Sequence, residues 1–280
     1  MAELYERKVV VEIQPEVGPI KIIDGLKISF DVGKSSKSSP NRGSIKIFNL
    51  SEKTRALVES KSTRVSLKIG YLGLNPQGIF NSGFLSSKTT SLVFVGNIAK
   101  FSHSKDGPEI ITDIELGDGL NRYKNAPIEK SYGEGARLNI AINDLITALG
   151  LKKGSILSIP QKTYGNGLVL SGLAKTQLDK LCDANDLEWS IQDESVQIVP
   201  RYTSTNESVI LLNSKTGLVG SPQKTKDGIL FKSLIQPALR PGRKVKIESM
   251  FLNATYTLRT VQHSGDSHEG PFHSTCEAKK

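Results

Sequence analysis

His263, Asp266, His268 and His273 form the only cluster of metal-type side chains in this 280-residue sequence. Two histidines and a carboxylate within six residues are the ligands that zinc or iron takes. Their spacing does not enforce convergence, as the i,i+4 pair of a helical metalloprotease motif does. Ser264-Gly265-Asp266-Ser267 reads as a turn between strands, and the reading as a structural turn outweighs the metal site. Nucleophilic chemistry is poorly served. There is no GxSxG elbow, and of the two cysteines, Cys182 and Cys276, only Cys276 has a nearby histidine, His273. Buried small hydrophobes or neutral thiols are the simpler reading of both. Asp113/Glu115 and Asp183/Asp186 are carboxylate pairs of the kind a glycosidase uses. The first shares one face of a strand, the second sits at a helix end and its following turn, and solvated surface explains both. Tyr164-Gly165-Asn166-Gly167 lacks the Lys-Ser/Thr that completes a phosphate loop. Asn49-Leu50-Ser51 is a formal glycosylation sequon better used to cap a helix. Trp189, the one tryptophan, is expected in a core rather than at an interface. No catalytic, cofactor-binding or metal residue is therefore assigned.

The elements around these residues are mostly strands. Val9–Ile13, Leu26–Val32, Ser44–Phe48 and Val65–Tyr71 alternate or run apolar as strands do. Ser51 is the expected N-cap of a short helix carrying Thr54, Leu57 and Val58. Residues 73–90 read as a long loop with a hairpin-like tip, including a polar insertion over Asn81–Thr90. Ser91–Ser104 and Glu109–Glu115 form a predicted hairpin around Asp106-Gly107. The middle of the chain changes character. Leu138, Ala141, Ile142, Leu145, Ile146 and Leu149 share a helical stripe ended by Gly150. A second helix over Leu173–Asn185 follows, then a hairpin across Asp193-Glu194. Tyr202–Asn206 reads as a connector. From Ser208 the chain is β again, with turn signals at Gly217, Gly220, Pro222, Asp227-Gly228, Pro237 and Pro241-Gly242.

A faint internal echo links the two ends. Arg64-Val65-Ser66-Leu67-Lys68-Ile69 resembles Arg243-Lys244-Val245-Lys246-Ile247. Each is followed by a hairpin with a His-Ser pair, His103-Ser104 and His263-Ser264. Alternation predicts Val65, Leu67, Ile69, Val245 and Ile247 facing inward.

Bulk properties narrow the function classes. The chain is 37% hydrophobic and 6% aromatic, with 25 Gly and 12 Pro, a turn-rich composition. No apolar run reaches the ~20 residues that span a bilayer. The N-terminus begins acidic, without a signal-type apolar core. Two cysteines give no disulfide framework, which fits a reducing cytosol. The net charge of +9 is uneven: 18 basic against 13 acidic side chains over 1–125, 7 against 9 over 126–200, and 12 against 6 over 201–280. Charge alone admits a nucleic-acid binder. Its basic residues are scattered singly along strands, with no basic run or aromatic-basic motif, so solvated strand faces account for most of it.

Several ordered motifs carry a family resemblance. Near the C-terminus these are TGLVGSP from Thr216, then Asp227-Gly228-Ile229-Leu230-Phe231, Pro241-Gly242-Arg243 and His263-Ser264-Gly265-Asp266. Earlier ones are Pro40-Asn41, IKIFNLS from Ile45, VSLKIGY from Val65, FVGNI from Phe94 and ITDIELGDG from Ile111. In the middle stand Gly172-Leu173-Ala174, Leu178–Leu181 and Trp189–Asp193. Their shared order over more than 200 residues resembles the baseplate hub proteins of tailed phages. That resemblance implies a mainly β (α+β) fold: a tube-like antiparallel β-barrel domain over 1–125, a small α/β insert over 126–205, and a second tube-like barrel over 206–280. It implies no enzyme and no cofactor. It implies a homotrimer whose two barrels per chain make a pseudo-six-fold ring between the tail tube, or a tube-initiator protein, and the central spike protein, with residues 126–200 away from the channel wall. Wedge and tape-measure proteins are further candidate partners, DNA is only passing cargo, and the place is the virion's tail baseplate after synthesis in the host cytoplasm. Two readings from other classes stand beside it: a tail-associated cell-wall hydrolase and a β-rich nucleic-acid-binding protein.

Overall fold

A computed structural model describes residues 7–60, 63–71 and 90–280. The expected long loop with its polar insertion, residues 73–90, lies outside them apart from Thr90. The chain forms two compact units. One gathers the N-terminal residues up to Ser35, Arg42–Gly117 and Asn206–Lys280; the other is Ser36–Asn41 with Asp118–Thr205.

The first part of the sheet unit runs β1 (Arg7–Gln14), β2 (Lys21–Ile23), β3 (Ile28–Ser35), β4 (Arg42–Phe48), α1 (Glu52–Val58), β5 (Arg64–Tyr71), β6 (Ser91–Asp106) and β7 (Glu109–Gly117). Alternation dictates which face is buried. Val65, Leu67 and Ile69 of β5 are fully buried, as are Val11 and Ile13 of β1 opposite them. Burying each such side chain contributes about 1.5–3 kcal/mol. Ser51 stands at the N-cap of α1, as expected, but its hydroxyl does not bond the helix backbone. It faces the Thr54 hydroxyl at 2.9 Å instead.

The second unit is α2 (Leu120–Asn125), β8 (Pro127–Tyr132), β9 (Ala136–Arg137), α3 (Leu138–Leu149), β10 (Lys152–Ile156), β11 (Thr163–Tyr164), β12 (Leu168–Leu173), α4 (Ala174–Asp183), β13 (Leu187–Gln192) and β14 (Ser195–Pro200). The predicted stripe of α3 is buried, and Gly150 closes the helix in the left-handed region, φ 61°, donating to Thr147 O at 2.9 Å. β13 and β14 pair antiparallel, and β10 joins β14 in parallel. Trp189 lies in this core and donates from Nε1 to the Asp179 carboxylate at 2.7 Å. The β13–β14 turn puts two non-glycine residues at positive φ, Asp193 (53°) and Glu194 (61°). That conformation is costly for L-residues. Asp118 offsets the cost: its two carboxylate oxygens accept from the Asp193 and Glu194 N–H groups, each at 2.7 Å.

The remaining strands return to the sheet unit: β15 (Ile210–Leu212), β16 (Leu218–Lys224), β17 (Gly228–Leu234), β18 (Lys244–Ser249), β19 (Leu252–Asp266) and β20 (Phe272–Lys279). Two expectations are corrected here. Gly220 and Pro222 do not end a strand; they sit inside β16, where the register against β17 slips between Val219 and Gln223. Likewise Ser264-Gly265-Asp266 is not a turn but the end of β19. Gly265 serves close packing: a Cβ there would stand 2.5 Å from Phe272 and 3.0 Å from Phe30.

The outer segments share one sheet of 13 described strands, ordered β16-β17-β20-β19-β3-β4-β7-β6-β5-β1-β2, with β15 and β18 branching from β19. Two apolar cores underlie it. One is built chiefly from β1–β7, the other from β15–β20. The fold is mainly β, this large sheet is antiparallel except for the β15–β18 pair, and no closed barrel forms among the described residues.

The echo in the sequence is an echo in register. In each half a long strand is flanked by two antiparallel neighbours, β5-β6-β7 and β18-β19-β20. The third strand then pairs back onto the strand preceding the set, β7 on β4 and β20 on β17, which itself pairs with its own predecessor, β3 or β16. A bulge falls at Ile98/Lys100 of β6 and at Leu258/Thr260 of β19. Five steps along, His103 stands opposite Thr112 and His263 opposite Ser274. Val65 and Val245 occupy corresponding positions, and Val245 and Ile247 are fully buried. The halves differ at one border: β1 runs antiparallel to β5, whereas β15 runs parallel to β18.

Candidate assembly edge

The long strands β6 and β19 outrun their neighbours, which sets their chemistry. β18 covers β19 only to Thr257, and β5 covers β6 only to Asn97. Beyond that point β19 is taken up by β3, with Thr260–Asp266 paired to Ser35–Ser29. The corresponding stretch of β6 has β7 on one side, and among the described residues no strand pairs with its other side.

The two histidines register this difference. His263 Nδ1 lies 2.8 Å from Ser274 Oγ, and His103 Nδ1 lies 3.2 Å from Thr112 Oγ1. His263 is 1% exposed, beside Val32 of β3, whereas His103 is exposed. Burial, helped by the Lys34 and Arg240 cations, pushes the His263 pKa down to about 3, against a bond to the Leu239 backbone. It is a neutral, structural imidazole.

The rest of the histidine cluster disperses. His273 pairs in register with Ser264, so it points to the face opposite His263. Burial and Lys232 lower its pKa. Asp266 ends β19 and fastens the turn that follows. Burial raises its carboxyl, but bonds from the Ser29 hydroxyl and the His268 and Glu269 N–H groups, with Lys27 nearby, hold it below the usual range. His268 lies exposed on that turn, 2.8 Å from Ser267 Oγ.

The other candidates take structural places too. Asp113 pairs with Lys46 at 3.5 Å and Glu115 with Lys100 at 4.0 Å, on the outward face of β7. Asp183 accepts from Arg201 at 2.9 Å. Cys182 and Cys276 are buried and unbridged. Burial first, then Asp179 and Asp183, pushes the Cys182 thiol up to about 12, and burial alone raises Cys276. Residues 164–167 lie at the β11–β12 turn, and Asn49 takes a left-handed conformation (φ 58°) just before the Ser51 cap position. What sequence reasoning missed is the edge itself, and its one local signal was the repeated His-Ser pair.

No curated protein matches the chain by sequence. Among solved structures, a tail protein from Neisseria meningitidis superposes with a TM-score of 0.65 at 10% identity, over 99% of this chain and 97% of that one. The tail protein of prophage MuSo2 from Shewanella oneidensis gives 0.67 at 8% identity, over 98% and 97%. An E. coli component of the type VI secretion system, described as structurally similar to the T4 bacteriophage tail proteins gp27 and gp5, gives 0.62 at 11% identity, over 96% and 76%. At such identities these likenesses speak for the fold alone. The family described as Baseplate hub gp41 matches residues 7–278. The chain therefore belongs to the baseplate hub gp41 family, structural proteins of the phage tail baseplate.

Proposed function

We infer that this hub works as a symmetry adaptor: three copies close a ring that joins the hexameric tail tube to the trimeric central spike. The observation that carries the reading is the pair of register-matched β halves, each with its own core, within one chain. Residues 1–125 and 206–280 act as two tube-like barrel domains, and 126–205 as an insert. Three chains then supply six similar units to a six-fold partner and keep three-fold symmetry for the spike. Long open strand edges in a lone subunit favour closure of this kind, because unpaired edges are prone to association. No reaction is required; the work is mechanical. The test is the mass of the hub in an isolated tail tip or hub–spike subcomplex. Three copies are expected, and one or six would refute the adaptor.

A further inference from the structure

We propose that the open stretch of β6, Lys100–Asp106, is the docking edge for β16 of a second copy, in a register already written inside each chain. The proposal rests on the ring reading and adds its contact at the level of residues.

The argument is one of internal symmetry. β19 and β3 show how the second half's long strand receives the first half's outer strand: His263 opposite Val32, Ser264 opposite Asp31, Asp266 opposite Ser29. By register, β6 is the counterpart of β19, with His103 for His263, Ser104 for Ser264 and Asp106 for Asp266. β16 is the counterpart of β3. Val32 pairs with Gly43 of β4, and Gly43 corresponds to Ile229 of β17, which pairs with Lys224. By the same steps Asp31 corresponds to Gln223 and Ser29 to Val219. The open edge of one copy and the end strand of the next therefore meet antiparallel, with His103 opposite Lys224, Ser104 opposite Gln223 and Asp106 opposite Val219. The two extra residues of β16, within Gly220-Ser221-Pro222, fall opposite Lys105, where a bulge is tolerated at a sheet border.

Exposure fits vacancy in a lone chain. Ser102–Asp106 are exposed, and so are Val219, Gln223 and Lys224 of β16, with Val219 at 44%. The β19 residues that correspond to the open edge are buried or half-buried apart from Gln262, because β3 lies on them. Thr112, the partner of His103, is already fully buried beneath the exposed imidazole. The contact is heterologous, joining two different strands of the sheet, so it runs head to tail and gives a ring where its rotation closes, not a two-fold dimer.

The test is disulfide trapping in the full-length chain. His103→Cys and Lys224→Cys single variants, purified and mixed under mild oxidation, are expected to cross-link to each other and not to themselves. Ser104→Cys with Gln223→Cys probes the next pair, since neighbouring antiparallel pairs alternate in spacing. All four positions are exposed, and the native thiols of Cys182 and Cys276 are buried. The double variant His103→Cys/Lys224→Cys is expected to run mainly as a closed covalent trimer. Hydrogen exchange provides the second readout: on association, amides in 100–106 and 219–224 slow at least tenfold, while those of β2, at the far border, do not. Trimers by mass with neither cross-link nor protection overturn this edge and leave the ring standing. Cross-links that give open ladders without closure sustain the edge and overturn the ring. Self-cross-linking of the single variants in place of mixed pairs overturns the heterologous register.

Discussion

His263 makes the sheet unit acid-sensitive in a way that one substitution removes. The side chain is buried between β19, β20 and β3, with Ser274 at hydrogen-bond distance and Lys34 and Arg240 as the nearby cations, and its pKa lies at about 3. In the unfolded chain the value is the ordinary ~6.5. Between those values the unfolded state binds a proton that the folded state refuses. Stability from this group is thus fully present above the unfolded value and declines as pH falls below it, by about 1.4 kcal/mol per pH unit. At about pH 5 the loss is roughly 2 kcal/mol, and it depends only on the unfolded value, because the folded imidazole is still neutral there. His263→Gln keeps a polar group near Ser274 and does not titrate. Urea unfolding, followed by circular dichroism at about pH 7.5 and pH 5, reads the effect. The variant is expected to be less stable at the higher pH through imperfect packing, yet to lose roughly 2 kcal/mol less than the parent on acidification. Carboxylate titration is common to both proteins and cancels in the difference. Equal acid sensitivity of parent and variant would refute the buried neutral imidazole.

Other outcomes follow from the same geometry. Asp118→Ala leaves the Asp193 and Glu194 N–H groups without their carboxylate and is expected to destabilise the second unit by about 1–3 kcal/mol, seen as an earlier Trp189 fluorescence transition in urea. Gly228→Ala puts a Cβ 2.0 Å from Ala278 O and should part the start of β17 from β20, at roughly 1–3 kcal/mol, with faster amide exchange confined to those strands. Cys182 and Cys276, buried with raised pKa values, are expected to resist a thiol reagent at about pH 8 until denaturant is added; rapid labelling of the folded chain would contradict their placement.

Periodicity made much of the fold readable, and what was not readable lay at long range or in short mixed segments. The α3 stripe and the Val65-Leu67-Ile69 alternation could be recognised because burial on one face forces a period on the sequence. The Asp193-Glu194 hairpin was readable from its flanking strands, although Asp118, 75 positions earlier, is what holds its turn. β2, β9 and β11 are two or three residues long and carry no period. Gly265 and Pro222 misled for one reason. Glycine and proline usually punctuate turns, but here one admits two aromatic rings beside a strand and the other sits in a strand's irregular stretch. The candidate ligands illustrate the limit in a different way. His263 and His273 are ten residues apart, yet cross-strand register sends them to opposite faces, and only the pairing of β19 with β20 reveals it. The junction of β19 with β3 joins residues more than 220 positions apart, and no local pattern announces it.

That junction also explains why two such similar halves differ in the chemistry of one motif repeated within the chain. His263 and His103 each stand by a hydroxyl one bulge beyond the end of a covering strand, but only His263 is sealed from water. The seal on His263 comes from the same chain. β3 is tethered close to β19, so pairing avoids most of the translational cost of association. In the proposed ring the seal on His103 comes from another copy and bears that cost in full. A contact made only on assembly is better built from exposed, hydratable residues, and around Phe101 β6 carries Lys100, Ser102, His103, Ser104, Lys105 and Asp106, where β19 carries, around Val261, Thr260, Gln262, His263, Ser264, Gly265 and Asp266. The charged side chains also protect a lone chain, since lysine on an open edge discourages indiscriminate strand addition. On that proposal one strand-pairing geometry would serve twice: within the chain, where β3 covers β19, and between copies, where β16 would cover β6. The two lysines of β6, Lys100 and Lys105, stand where β19 has Thr260 and Gly265, and they fit that division of labour.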